Sequence, residues 1–352
     1  MNFKITKLFI FFEIKIDFDY ELNTVKNLVE KIVMWVEKYR PKSLSDVLGQ
    51  DHIINRLQAF VHEKNKMPHF LFAGPAGVGK TSSALALARD IFGDSFSENY
   101  KELNASDERG IKIVREDIKN YASIAPSAGA PFRILVLDEA DNMTADAQQA
   151  LRRTMEKYKK IRFILIANYS SKIIPPIQSR TAVFRFRPIS DKLIQEKTLR
   201  ICKSESISAT EDAIKSLIEI CNGDMRQLLN LLQACAILSS NITEDIVNDI
   251  AGKADPNEVK KIISILINKK MSGFQEARSK LRSLLYTVGI SGKDLIGQIN
   301  STLLKEQNIE NRQLIEMIKT VSEIDFRLTE GANEEIQLTY LLSQFISILS
   351  VQ

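Results

Sequence analysis

Residues 74–81 read GPAGVGKT and fit the spacing G-x-x-x-x-G-K-[ST] in full. This is an arrangement for holding phosphate. Gly74, Gly77 and Gly79 let the backbone turn tightly enough for its N–H groups to converge on phosphate oxygens, and Pro75, Ala76 and Val78 complete the loop. Lys80 has the reach and charge for the β- and γ-phosphates, and the Thr81 hydroxyl suits Mg²⁺. Further along, residues 134–141 read ILVLDEAD, four apolar residues running into two acids. Asp138 is placed to join the Mg²⁺ shell, and Glu139 to orient and polarise an attacking water. The chemistry implied is transfer of a phosphoryl group from ATP to water.

These residues need a scaffold. HFLFA (69–73) reads as a short buried strand ahead of the loop. SSALALARDIF (82–92) reads as a helix behind it, with Leu85, Ala88 and Phe92 on one side and Gly93 as its stop. Strand, glycine loop and helix form the context in which the motif has meaning, and the helix N-terminus adds a dipole favourable to phosphate. ILVL is continuously apolar, as a strand buried in a parallel sheet must be, and ligands lie beyond the carboxyl ends of such strands. FILIAN (163–168) is another, ending in Asn168. Between them, TADAQQALRRTMEKY (144–158) predicts a helix capped by Thr144. Its inward face is Ala147, Leu151 and Tyr158; Gln149, Arg152, Arg153 and Glu156 face outward. YKELNASDERG (100–110) reads as strand then loop, followed by a helix to about Tyr121 with Ile111, Val114, Ile118 and Tyr121 on its buried face. Lys112, Arg115 and Lys119 share another face. They form either a solvated charged surface, in the company of Glu116 and Asp117, or one that tracks phosphates. From Ser190 onward the pattern is helical throughout.

The chain has 352 residues, enough for two or three domains. Its 44% hydrophobic and 26% charged content is that of a soluble globular protein. Net charge is only +4, but residues 151–200 carry 13 Lys/Arg against 3 Asp/Glu, and residues 301–352 carry 4 against 8. A polyanionic partner for one part only is implied. Cys202, Cys221 and Cys235 form no CxxC pair and read as buried thiols in a reducing compartment. His52, His62 and His69 lack metal-ligand spacing, so no metal site made of protein alone is expected. LFIFFEIKI (8–16) is too short to span a bilayer, is interrupted by Glu13 and Lys15, and precedes no small-residue cleavage site. Residues 1–33 are read as an extension: an added strand, an arm, or sequence upstream of a start at Met34. No membrane association is expected.

WVEKYRP (35–41) and DVLGQ (46–50) extend the set of motifs, with GPAGVGKT, ELNASDERG, LDEAD, LRRTMEKY, Ser179-Arg180 and GDMRQ (223–227). Together they resemble the small subunits of replication factor C, AAA+ clamp loaders, across residues 34–352. The ending RLTEGANEEIQL (327–338) resembles the archaeal type. Thr181 stands where clamp loaders usually carry Cys after Ser-Arg. No cysteine lies between Gly74 and Ile201, whereas bacterial loaders carry a zinc module there.

The resemblance implies an α/β P-loop AAA+ ATPase domain, a parallel sheet flanked by helices, over 34–190. A helical lid domain over 191–253 and an all-α collar over 254–352 would follow. The collar would join further small subunits and one large subunit into a ring of five. Val36, Tyr39, Arg40 and Pro41 would lie beside the nucleotide. Asn168 and Arg226 would sense the γ-phosphate in cis, and Arg180 would reach the ATP of a neighbouring subunit. Lys112, Arg115 and Lys119 would meet DNA. The implied activity is ATP-driven opening of the sliding clamp PCNA and its loading onto primer–template DNA, in the cytoplasm for an archaeal-type protein and in the nucleus for a eukaryotic one. Another AAA+ machine, a DNA motor or remodelling ATPase, is the alternative. A non-hydrolysing scaffold subunit is disfavoured by the intact Lys80, Asp138 and Glu139.

Overall fold

The computed structural model describes residues 34–106, 114–127, 129–252, 256–306 and 309–350. Residues 1–33, the apolar run 8–16 and Lys112 lie outside these. The described residues divide into two compact units. One holds those up to Ile201 with Cys221–Gln233, the other Cys202–Ile220 with Ala234–Gln352.

The first unit opens with two short helices, α1 (Trp35–Lys38) and α2 (Asp51–His62). Its centre is a sheet of β1 (His69–Ala73), β2 (Tyr100–Asn104), β3 (Arg133–Asp138), β4 (Ile161–Ala167) and β5 (Thr181–Arg185). The strands run β2-β3-β4-β1-β5, all parallel. Both faces of such a sheet are covered, so alternation along a strand divides residues between two cores rather than between core and water. Thus β1 sends Phe70 and Phe72 into one cluster with Leu57, Leu87 and Ile91, and Leu71 into the other with Leu151, Leu165 and Ile177. Parallel register aligns the strand ends: Ala73 is opposite Ala167, and Leu137 opposite Leu165. The residues following β1, β3 and β4 therefore emerge at one edge.

α3 (Lys80–Phe92) packs on this sheet through Ala84, Leu87, Ala88 and Ile91, and ends at Gly93 with φ +54°. Leu85, expected on the buried face, is only half-buried. The sheet takes the face 84–87–88–91, which a count from the apolar residues alone did not single out. Beyond β2, a π-turn at Val114–Ile118 leads into α4 (Lys119–Ser123). Ile118 and Tyr121 are buried as anticipated, while Ile111 and the Val114 side chain lie outside the described parts. α5 (Ala145–Lys157) is capped by Thr144, whose hydroxyl accepts from the Ala147 N–H at 3.3 Å. Such a cap contributes about 1 kcal/mol. Ala147 and Leu151 are fully buried; Tyr158 is half-buried just past the helix. α6 (Pro175–Gln178) precedes β5 and α7 (Asp191–Ser204) follows it.

The chain continues through β6 (Ser208–Ala209), α8 (Glu211–Cys221), α9 (Met225–Leu238), β7 (Asn241–Ile242) and α10 (Glu244–Ala251), and the division between the units falls within α7, at the last residue of α8 and within α9. Cys202, Cys221 and Cys235 are buried free thiols. Burial pushes the Cys235 thiol up to about 11. The rest of the second unit is helical: α11 (Pro256–Lys269), α12 (Phe274–Ser283), α13 (Gly292–Leu303), α14 (Asn311–Thr329) and α15 (Glu334–Ser350). Their shared core takes Val259, Ile262 and Leu266 from α11, and Leu338, Leu342 and Phe345 from α15. That three-and-four spacing is one stripe per helix.

Candidate nucleotide site

The 74–79 loop leaves β1 and ends at the first residue of α3. Two glycines are required by their surroundings. A Cβ on Gly74 would lie 2.5 Å from the Phe186 carbonyl oxygen. A Cβ on Gly77, at φ +63°, would lie 1.6 Å from the Asp224 carboxylate. The Met225 N–H also donates to the Gly77 carbonyl at 3.1 Å, so the start of α9 closes directly on the loop. From the other side Gln50, fully buried, donates to the Val78 carbonyl at 3.4 Å and to the Arg187 carbonyl at 2.7 Å.

Lys80 is 7% exposed. Its ammonium donates to the carbonyls of Gly74 (2.7 Å) and Pro75, and to Asn168 Oδ1 at 3.0 Å. Burial lowers its pKa to about 8, against the opposing pull of Asp138 and Asp141. The Thr81 hydroxyl donates to Asp138 Oδ2 at 2.8 Å. The other oxygen, Oδ1, accepts the Glu139 N–H at 2.8 Å. Glu139 has φ +53°, a left-handed conformation that costs a non-glycine residue about 1–3 kcal/mol. Its carboxylate accepts from Asn142 Nδ2 at 3.3 Å.

A cleft of about 290 Å³ opens over these groups. Ala76, Gly77, Val78, Gly79, Lys80 and Thr81 form its floor, with Asp138, Glu139 and Asn168 at the sheet edge. Val36, Tyr39, Arg40 and Pro41 line one wall, and Arg226 stands at the opening turn of α9. Gly74 and Pro75 do not line the cleft; they hold Lys80 from behind. The anticipated residues thus converge from five segments. Further wall residues are Asp46, Val47 and Leu48 of DVLGQ and Met225 of GDMRQ, together with Ile189, Lys197 and Leu229, to which the sequence assigns no site role. Lys197 Nζ lies 5.7 Å from the centre of the Tyr39 ring. Its pKa is lowered by burial and by Arg200. No local pattern marks a lysine in the middle of α7. Gln50 and Asp141 each close a motif, DVLGQ and LDEAD.

Arg180 is not at this cleft. It follows α6, where Nη2 meets Glu156 Oε1 at 2.6 Å and Nη1 donates to the Pro176 carbonyl at 2.8 Å. Lys119 is exposed at the start of α4. Lys112 and the Arg115 side chain lie outside the described parts, so the expected basic trio is not assembled here.

The donor set fits a nucleoside triphosphate. A buried cation and a turn of glycines suit phosphates, and the mixed wall of Val36, Tyr39, Met225 and Leu229 suits a base. The Thr81 hydroxyl and Asp138 carboxylate are hard oxygen donors of the kind Mg²⁺ takes when phosphates complete its shell. Among the described residues no cluster of three or more His, Cys, Asp or Glu side chains could hold a metal ion, and no helix is long and apolar enough to cross a membrane.

Fold and site define a P-loop ATPase of the AAA+ class. Residues 70–189 match the ATPase family associated with various cellular activities, and residues 254–344 match the replication factor C C-terminal domain. The chain is 47% identical over 323 residues to the replication factor C small subunit of Archaeoglobus fulgidus, covering 92% of this chain and 99% of that one. It is 48% identical over 314 residues to that of Thermofilum pendens, covering 88% and 95%. The chain belongs to the replication factor C small-subunit family, clamp-loader ATPases, and is an ATP-hydrolysing enzyme. The Thermotoga maritima RuvB Holliday junction branch migration motor superposes with a TM-score of 0.51 at 17% identity, over 76% of this chain and 91% of that one. That likeness is one of fold alone.

Proposed function

We propose that this chain is an ATPase subunit of a clamp loader that opens the sliding clamp PCNA and loads it onto primer–template DNA during replication. The carrying observation is a complete nucleotide site in a subunit whose Arg180 is presented away from it. In a ring of subunits, an arginine so placed would face the site of a neighbour. In this reading residues 34–190 form the ATPase domain, 191–253 the lid and 254–352 the collar. Five subunits, one of them large, make a hetero-oligomeric ring in the cytoplasm.

Lys80 exchanges its carbonyl contacts for β- and γ-phosphate oxygens. Thr81 and Asp138 would hold Mg²⁺, which when bound would offset phosphate charge. Glu139, which lines the cleft, orients the attacking water and takes up its proton. Asn168 and Arg226 face the γ-phosphate from the same subunit, and a neighbour's Arg180 faces it from across the interface. Contacts present with ATP and lost after hydrolysis bias the ring between a gripping and a releasing state, so hydrolysis serves as timing. Lys112, Arg115 and Lys119 follow the DNA backbone.

The test is the ATPase rate of the complex, co-expressed with a large subunit, with and without primed DNA and clamp. Stimulation by both together supports the loader. Duplex translocation with processive turnover in the absence of any clamp supports a motor instead.

A further inference from the structure

Asp141 is buried, 7% exposed, and does not line the cleft. One oxygen, Oδ2, accepts two backbone N–H groups, from Asn168 at 3.1 Å and Tyr169 at 3.0 Å. The other, Oδ1, is buried with no hydrogen-bond partner among the described residues. Burying a carboxylate is costly, and here the cost is offset by the two N–H bonds and by the attraction between Asp141 and the Lys80 ammonium.

The two N–H groups explain what Asp141 does. β4 ends at Ala167, so residues 168 and 169 are the first without ladder partners. Asp141 takes their place in the ladder. It reaches them from the turn after β3, which is closed by the Asn142 N–H donating to the Glu139 carbonyl at 2.9 Å. The turn that carries Glu139 thereby grips the backbone of Asn168, and Asn168 Oδ1 accepts from Lys80 at 3.0 Å. We propose that Asp141 is a positioning residue for ATP hydrolysis, holding the backbone of Asn168 at the end of β4 so that the Asn168 side chain stays beside Lys80. This rests on reading Asn168 as the group that faces the γ-phosphate.

The test uses the assembled complex with its large subunit. ATP affinity, single-turnover hydrolysis and melting temperature are measured for Asp141→Ala, Asp141→Asn, Asn168→Ala and the double variant Asp141→Ala/Asn168→Ala. Asp141→Ala should slow hydrolysis about 10-fold or more while ATP Kd stays within about threefold, the pattern of an interaction used in the transition state. Asp141→Asn keeps an oxygen able to accept both N–H groups and should hydrolyse ATP at close to the normal rate. The double variant should be no slower than Asn168→Ala, because Asp141 acts through that residue. Losses that multiply in the double variant overturn the proposal, as does a lowered melting temperature with normal hydrolysis in Asp141→Ala. Asp141→Asn as slow as Asp141→Ala also overturns it, since charge rather than the clamp would then matter. If Asn168→Ala itself hydrolyses normally, the reading of Asn168 fails, and the proposal with it. Should Asp141→Ala not fold, Asp141→Ser, too short to hold both N–H groups, takes its place with the same outcomes.

Discussion

Arg180 Nη2 lies 2.6 Å from Glu156 Oε1, and Glu156 Oε1 also lies 3.7 Å from Arg152 Nε. Both side chains of the shorter pair are about two-fifths exposed, 39% and 41%, so its contribution to stability is small. Its consequence is direction: the guanidinium is held at the end of α5, away from the cleft of its own subunit. Arg180→Ala should leave ATP affinity of the isolated subunit unchanged. In the assembled complex it should lower hydrolysis by roughly 10³-fold, the scale of an arginine supplied in trans. Mixing Arg180→Ala with Lys80→Ala subunits should recover part of the rate, since some interfaces then pair two intact partners. Mixtures as inactive as either variant alone would place Arg180 outside the trans role.

Lys80 and Glu139 should separate binding from hydrolysis. Lys80→Ala removes the buried cation and should weaken ATP binding. Glu139→Gln preserves shape and should bind ATP while losing turnover. Equilibrium binding and single-turnover rates distinguish the two. Normal turnover in Glu139→Gln would remove Glu139 from its role.

ATP affinity should also depend on pH through Lys80. Burial lowers its pKa to about 8, and anionic phosphate favours the protonated form, so binding raises that value. Affinity is therefore at its plateau below pH 8. It declines above, by up to about tenfold per pH unit, until the bound-state pKa is passed. Titration of Kd from pH 7 to pH 9.5 checks this. A flat profile in the unaltered protein, or a decline that persists in Lys80→Arg, whose charge is permanent, would show that Lys80 does not titrate here.

Gly77→Ala places a methyl group where the Asp224 carboxylate lies and forces alanine to φ +63°. The start of α9, with Arg226 on it, must move. ATP binding should weaken about tenfold or more, near 1.4 kcal/mol. Gly129→Ala is the control: φ is +71° but no atom lies within 4 Å. It should cost about 1 kcal/mol in strain, read as a lower melting temperature, with ATP affinity unchanged.

Replacing Lys112, Arg115 and Lys119 together by Ala should flatten the salt dependence of DNA binding. Three phosphates neutralised per engaged subunit correspond to a log–log slope of roughly −2.7. An unchanged slope would return the three to a solvated surface.

The groups of the candidate phosphate loop were legible because they are contiguous. Glycine spacing, the lysine after it and the acids ending an apolar strand are local facts. The two cores were legible only in part. Apolar runs announce strands buried on both faces, but they do not say which helix face the sheet will take, and α3 turned Leu87 rather than Leu85 inward. What tertiary structure alone decided was adjacency. Asp138 meets Thr81, and Asn168 meets Lys80, because the parallel order β2-β3-β4-β1-β5 sets their strand ends side by side. Asp141 finds the two N–H groups beyond β4, Lys197 comes beside Tyr39, and Arg180 turns to Glu156 for the same reason. Side-chain periodicity reports on neighbours within a turn or a pleat. Pairings between segments tens of residues apart are set by how sheet and helices pack.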